Sequence, residues 1–196
     1  EIKKAIKNLE IFNLAPQKYY YKGVLRGKPV ALVVTGIGKV NSSVMTGLVL
    51  AKESIDYIIN IGYAGGISPN KVGDTVVVKD ASYHDVDVTS INSMYEVGQV
   101  PNMPHPFLSD FELVKKFKFS LKAKALSLYT GDKFMTQKIH DAPGVYDMEG
   151  AAIYQTAYIF ETPVISIKLI SDILDSETQK EDYTRFEEKA ELTLKE

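Results

Sequence analysis

Residues 146–172 read YDMEGAAIYQTAYIFETPVISIKLISD, a helical pattern followed directly by a strand pattern. The first half opens with an acidic segment that contains Glu149, and small and apolar residues then recur at helical spacing. After Pro163 comes a continuous apolar run that predicts a buried strand, and Asp172 stands at the end of that run. An acid at a helix start suits the helix dipole, and α/β proteins meet ligands beyond the carboxyl ends of their strands. The stretch therefore predicts two ligand-facing acids on two different supports.

Strand and helix patterns alternate along the rest of the chain. Strands are predicted over residues 19–23, 30–35, 56–61, 75–78 and 125–130, and helices over 1–14, through Val44 to Ala51, over 111–122 and along most of the charged tail 175–196. Segment 81–89 predicts an extended strand or a loop, and the proline-containing segment 90–107 predicts a long connection. Such alternation is typical of an α/β protein, and we expect a three-layer α/β/α sandwich around a central mixed sheet, in one domain that spans 1–196.

Composition narrows the class of protein. The chain has 196 residues, 45% of them hydrophobic, and a formal net charge of −2. This length can bury a substantial core, and the lack of a basic excess argues against nucleic acid as the main partner. The absence of cysteine excludes disulfides and thiolate metal sites. No apolar run reaches transmembrane length, so we expect a cytoplasmic protein. Because the chain starts at Glu1 without a methionine, we also expect that leading residues are missing.

Two glycine-rich segments follow predicted strands. The sequence GIGK at 36–39 lacks the spacing of a Walker loop and the third glycine of a dinucleotide fingerprint. A tight strand-to-helix turn that lines a pocket is the favoured interpretation. For the sequence GYAGG at 62–66, a structural turn and a backbone that closely approaches a ligand stay equally open.

No cofactor or metal site is predicted. His84, Asp85 and Asp87 match no familiar spacing of metal ligands, and a structural interpretation is favoured. There is no G-x-S-x-G nucleophile elbow. Taken singly, an acid at either position of the opening stretch is more often a helix charge or a cap, and Phe134 is more often a core residue. The functional interpretation therefore depends on their joint occurrence.

Seven segments in order carry a resemblance to a known family. They are GVLRGKPVALVVTGIGKVN (23–41), DYIINIGYAGGISPNKVGDTVVV (56–78), YHDVDVT (83–89), GQVPNMP (98–104), TGDKFM (130–135), DMEGAAI (147–153) and SIKLISD (166–172). Together they resemble the 5'-methylthioadenosine/S-adenosylhomocysteine nucleosidases of the purine nucleoside phosphorylase superfamily. The resemblance implies a nucleoside phosphorylase-like fold and hydrolysis of the N-glycosidic bond of a 5'-thio-substituted adenosine.

The same resemblance implies roles for individual residues. Asp172 would protonate N7 of adenine, oriented by Ser171, and Glu149 would accept hydrogen bonds from the ribose hydroxyls. The remaining residues that the resemblance and the patterns assign to the substrate site are Ile37, Tyr63, Ala64, Gly65, Phe134, Met135, Met148, Lys168 and Tyr183. Within this set, Phe134 would stack on the base, the backbone at Met135 would read its edge, and Met148 would pack under the sugar.

The resemblance also assigns a base and a partner. Counting back from the segment 36–39 puts Glu1 at the position of the family's water-activating glutamate, at the start of a helix. The family works as a homodimer, so we expect a second copy of the chain, with Val88 and Ile91 near the neighbour's site.

Two positions depart from the family pattern. Tyr63 stands where relatives usually carry serine, and Lys168 stands where they usually carry arginine. Lysine keeps the charge but loses the planar fork of arginine, and both positions would neighbour the attacking water. Two alternatives to a hydrolase therefore stay open. One is a phosphorylase, which is disfavoured because the chain has only Arg26 and Arg185 to recruit phosphate. The other is a nucleoside-binding protein without catalysis.

Overall fold

The computed structural model describes residues 2–139 and 143–195, with side chains described up to residue 188 in the last helix. The helices are α1 Ile2–Ala5, α2 Lys39–Lys52, α3 Phe111–Leu121, α4 Gly150–Ile159 and α5 Gln179–Lys195. The strands are β1 Lys7–Ala15, β2 Lys18–Leu25, β3 Lys28–Val33, β4 Ile58–Gly66, β5 Thr75–Tyr83, β6 Phe107–Leu108, β7 Lys124–Thr130, β8 Gly144–Asp147 and β9 Val164–Ile173. Within these ranges, no helix is long and apolar enough to cross a membrane.

The strands form two sheets. The first is an antiparallel meander in the order β1-β2-β3. The second has six strands in the order β6-β5-β7-β8-β4-β9, with parallel pairs such as β4–β9 and antiparallel pairs such as β4–β8. Strand β5 also pairs with β9, so five strands of this mixed sheet close on themselves. The predicted α/β class with a mixed sheet is confirmed, and the closure is a feature that local patterns did not predict.

Helix α4 anchors the core against the mixed sheet. Its small residues Ala151 and Ala157 are fully buried, and Tyr154 is 1% exposed. The hydroxyl of Tyr154 shares a 2.6 Å hydrogen bond with Ser109, which satisfies both polar groups inside the core. Helix α2 covers a second side of α4, where Ser43 and Thr156 share a hydrogen bond of 2.9 Å. Because α4 is covered by both a sheet and a helix, it fixes the position of the acidic segment at its start.

The predicted helix over residues 1–14 is wrong. Only Ile2–Ala5 is helical, and Lys7–Ala15 forms a strand that pairs with β2. Phe12 and Leu14 turn inward from this strand, and the Phe12 ring lies 5.3 Å from that of Tyr20. Pairing with the neighbouring strand therefore overrides the helical spacing of the first apolar residues.

The strand ends also differ from their predicted positions. Segment 62–66 is the last part of β4 and not a turn, and β9 runs through Asp172 to Ile173. Strand β8 was not predicted, and it ends at Asp147, so that α4 begins only at Gly150. The hairpin between β2 and β3, the long connection over 90–107 and helix α3 agree with the sequence patterns.

Candidate active site

A cavity of about 430 Å³ opens where β4 and β9 end beside the start of α4. Its volume suits a small molecule. Its walls contain every predicted site residue that the structure describes: Ile37, Tyr63, Ala64, Gly65, Phe134, Met135, Met148, Glu149, Lys168, Ser171, Asp172 and Tyr183. Glu1 lies outside the described residues. The predicted pocket-lining turn at 36–39 also contributes, through Gly36 and Ile37.

Asp172 lines this cavity and is almost completely buried. The side chain is 1% exposed, and Ser171 donates its hydroxyl to Oδ1 at 2.6 Å. Gln179 donates its amide Nε2 to the other oxygen, Oδ2, at 2.7 Å. Strand β4 passes close by, and a Cβ added at Gly65 would lie 3.2 Å from Oδ2 and 2.6 Å from a methyl group of Leu174. Glycine at this position therefore lets β4 approach the carboxyl group.

Glu149 stands at the N-cap position of α4 and lines the cavity from that helix, whereas Asp172 lines it from β9. Its Oε1 accepts the backbone N–H of Gly38 at 2.8 Å, and Gly38 has a φ of 94° that favours glycine. Burial raises the pKa of Glu149 above its ordinary value, and the Gly38 N–H partly opposes that rise. The segment at 36–39 thus has a specific use, because it orients this carboxylate.

A buried ion pair lines the same cavity as Glu149 and Asp172. Lys168 places its Nζ 2.8 Å from Oδ2 of Asp147, and the two side chains are 2% and 1% exposed. Asp147 also accepts the hydroxyl of Thr130 and the backbone N–H of Gly150, which caps the start of α4. A Cβ added at Gly62 would lie 3.1 Å from Nζ, so glycine makes room for the lysine. The charge of Lys168 is therefore neutralised within the protein.

Two aromatic side chains of helix α5 contact aromatic side chains that line the cavity. The Phe134 and Tyr183 rings meet edge to face with centroids 5.1 Å apart, and the Tyr63 and Phe186 rings do so at 5.0 Å. The spacing of Tyr183, Phe186, Ala190 and Leu194 predicts that they form the inward stripe of the tail helix, and the ring contacts of Tyr183 and Phe186 agree with this prediction. The side chains of Ala190 and Leu194, also assigned to that stripe, lie outside the described ones.

Sequence reasoning missed Asp147 and Asn60, which line the cavity, and Gln179, which bonds to the lining residue Asp172. Gln179 is 5% exposed and bonds directly to Asp172. One signal was available, because Gln179 precedes Tyr183 by four residues and Phe186 by seven, which places all three on one face of a helix. Asn60 lines the cavity and donates to Ser166 at 2.9 Å, a contact that no motif indicated.

The acidic and histidine residues after β5 have structural partners. Asp85 accepts the Nζ of Lys39 at 2.7 Å and the backbone N–H of Asp132 at 2.9 Å. Asp87 accepts the hydroxyl of Thr89 at 2.7 Å. Across the described residues, no group of three or more His, Asp or Glu side chains is arranged to hold a metal ion.

Comparison with known proteins first identifies the class of protein to which the chain belongs. The family model of the phosphorylase superfamily matches residues 1–196. The closed mixed sheet and the cavity lined by Asp147, Glu149 and Asp172 are therefore those of a phosphorylase-superfamily protein.

Individual relatives then define the family within that class. A 5'-methylthioadenosine/S-adenosylhomocysteine nucleosidase of Marinomonas sp. strain MWYL1 is 38% identical over 174 residues, covering 81% of this chain and 74% of the relative. The Neisseria meningitidis nucleosidase of the same name, crystallised with methylthio-immucillin-A, superimposes with a TM-score of 0.87 at 31% identity, covering 94% and 85% of the two chains. The Colwellia psychrerythraea 34H nucleosidase, crystallised with adenine, gives 0.87 at 29% identity and covers 94% and 81%. This chain belongs to the 5'-methylthioadenosine/S-adenosylhomocysteine nucleosidase family, which confirms the resemblance of the seven segments.

Proposed function

We propose that the protein hydrolyses the N-glycosidic bond of 5'-methylthioadenosine and S-adenosylhomocysteine, releasing adenine and a thioribose. The observation that carries the proposal is that Asp172, Glu149 and Phe134 line one cavity. An enclosed acid, an acceptor for hydroxyls and an aromatic ring are what a purine nucleoside requires. The names of the relatives support the same substrate class.

In the proposed reaction, the bond between C1' of the ribose and N9 of adenine breaks, and its electron pair leaves with the base. A proton from Asp172 to N7 makes adenine a better leaving group, while the sugar becomes oxocarbenium-like. Water adds to C1' and gives up its proton to a base, for which Glu1 is the candidate. Glu149 is proposed to bind the ribose hydroxyls, because it lines the cavity and the Gly38 N–H orients its Oε1.

The charges around the cavity support water over phosphate as the nucleophile. Phosphate sites usually recruit arginines, whereas Arg26 lies in the β2–β3 turn and Arg185 on α5, and neither lines the cavity. Among the described lining residues the cations are Lys133 and Lys168, and Asp147 already neutralises Lys168. A phosphate ion would therefore find little positive charge beside the sugar.

The experiment that tests hydrolysis measures adenine release from 5'-methylthioadenosine with and without added phosphate. We expect the same rate in both conditions and free thioribose as the sugar product. Release that requires phosphate and yields a sugar phosphate would assign the protein to the phosphorylases. Binding of the nucleoside without any release would instead support a receptor that has lost catalysis through Tyr63 and Lys168.

We further propose that two copies of the chain associate in the cytoplasm, with the connection after β5 at the contact. Ile91 is 85% exposed and Met94 is 84% exposed, although both are large apolar residues. Val88, named with Ile91 as near the neighbour's site, is half-buried on the same connection. Exposed apolar residues clustered on one segment are typical of a protein interface.

A further inference from the structure

The amide group of Gln179 forms two hydrogen bonds to residues that line the cavity. Its Nε2 donates to Oδ2 of Asp172 at 2.7 Å and to the backbone carbonyl of Met135, also at 2.7 Å. The side chain is 5% exposed, so water does not compete strongly for either contact. Both of its hydrogens are therefore used, and two acceptors of the proposed base site are satisfied by one planar NH₂ group.

Adenine presents a group of the same kind at the corresponding edge. Its N6 amino group is planar, carries two hydrogens and lies directly beside N7. In the proposed reaction Asp172 faces N7, so the neighbouring amino group falls within reach of the same carboxyl group. Met135 supplies the second acceptor of that region. An NH₂ group that bridges Asp172 and Met135 thus marks where an exocyclic amino group of a bound purine would lie.

We infer that Gln179 occupies the subsite of the purine amino group and must leave it before the base can bind. Gln179 then acts as a specificity-determining residue, because only a ligand that replaces both of its hydrogen bonds recovers what its departure loses. A 6-aminopurine does so with one group. A purine with a carbonyl at that position places another acceptor beside those of Asp172 and Met135. It therefore replaces neither hydrogen bond. This inference rests on the proposed function and adds the step that opens the site.

The position of Gln179 on α5 makes such a departure feasible. It is the first residue of the helix, and the turn before it is held by exposed side chains, such as Thr178 donating to Asp182 at 2.8 Å. Further along the same face, Tyr183 and Phe186 meet the rings of Phe134 and Tyr63. A helix start needs less rearrangement than a helix centre, so the amide can withdraw while the aromatic contacts persist.

The test compares adenine binding by the whole chain in three forms: wild type, Gln179→Met and Lys180→Ala. Methionine keeps the length and apolar body of glutamine without its NH₂ group, and Lys180 is an exposed neighbour on the same helix. We expect calorimetry to show about tenfold tighter adenine binding by Gln179→Met, because the free protein no longer makes two hydrogen bonds that binding must break. The Lys180→Ala control should bind as wild type does. Gln179→Ala repeats the test if the methionine variant folds poorly.

If Gln179 only stabilises α5, the result will differ. Gln179→Met will then have a lower melting temperature and an unchanged or weaker affinity for adenine, and that outcome would overturn the inference. Hydrogen exchange of the Gln179 side-chain amide provides a readout in the wild type itself. We expect slow exchange in the free protein and faster exchange once adenine is bound. An amide that stays protected in the adenine complex would also overturn the inference.

Two different results distinguish an error about Gln179 from an error about hydrolysis. If wild type releases adenine from 5'-methylthioadenosine but Gln179→Met binds adenine no more tightly, only the role of Gln179 is wrong. If wild type neither releases nor binds adenine, the proposed function is wrong, and the subsite assigned to Gln179 falls with it.

Discussion

Glu149 places a carboxyl group where water has limited access, and the consequence differs for stability and for activity. Its pKa is raised by burial, so its ionised form is costly in the folded protein relative to the unfolded chain. The folded state therefore binds the proton more readily, and stability decreases as pH rises through the interval between the unfolded and folded pKa values. Above that interval the cost is fully present. Such a cost at the proposed sugar-binding residue is typical of a functional site.

The substitution Glu149→Gln separates these two effects. Glutamine keeps an oxygen that can accept the Gly38 N–H, but it removes the charge. We expect a melting temperature at neutral pH equal to or above that of wild type, with the difference shrinking as pH falls. We expect kcat/KM for the nucleoside to fall about 10- to 100-fold, because hydrogen bonds to a charged acceptor are lost. Glu177→Gln, at an exposed position, is the control.

Thermal melts across pH and steady-state kinetics measure both quantities. A neutral-pH melting temperature clearly below wild type, together with unchanged kcat/KM, would mean that Glu149 is a structural residue and not a ligand for the sugar.

At the scale of elements, the sequence predicted α4 and β9 because each is long and strongly patterned. Strand β1 was misread, because the apolar spacing of its first residues also fits a helix and only pairing with β2 decides the outcome. Strand β8 was missed because four residues carry too little pattern. The acids of the site were predicted from their supports and from the family resemblance. Helical spacing places Gln179 on the same face as Tyr183 and Phe186, but its hydrogen bond to Asp172 depends on how α5 folds back on β9, which that spacing does not encode.

At the scale of the whole molecule, closure of the mixed sheet depends on contacts between distant strands. Thr75 of β5 pairs with Leu169 of β9, and local periodicity carries no information on such a register. The proposed association of two chains is equally a property of the whole surface.

The substitution Ile91→Asp tests that association. A charge at this 85% exposed apolar position should leave the folded chain intact but weaken a contact formed there. We expect light scattering to give a dimer for wild type and a larger monomer fraction for the variant. Lys116→Gln, a substitution at an exposed position of α3, lowers the net charge by the same single unit and is the control. A wild-type monomer, or a dimer insensitive to Ile91→Asp, would contradict the proposed contact.

Adenine release by Asp172→Asn shows whether Asp172 is the acid of a nucleoside hydrolase. The substitution keeps the size of the side chain and an oxygen for the Ser171 hydroxyl, but removes the ability to transfer a proton. Asp175→Asn, which changes an exposed acid three residues away, is the matched control. We predict a fall in kcat of about 10²- to 10⁴-fold for Asp172→Asn and near wild-type turnover for the control. Equal turnover by Asp172→Asn and wild type would mean that Asp172 does not supply the proton to adenine.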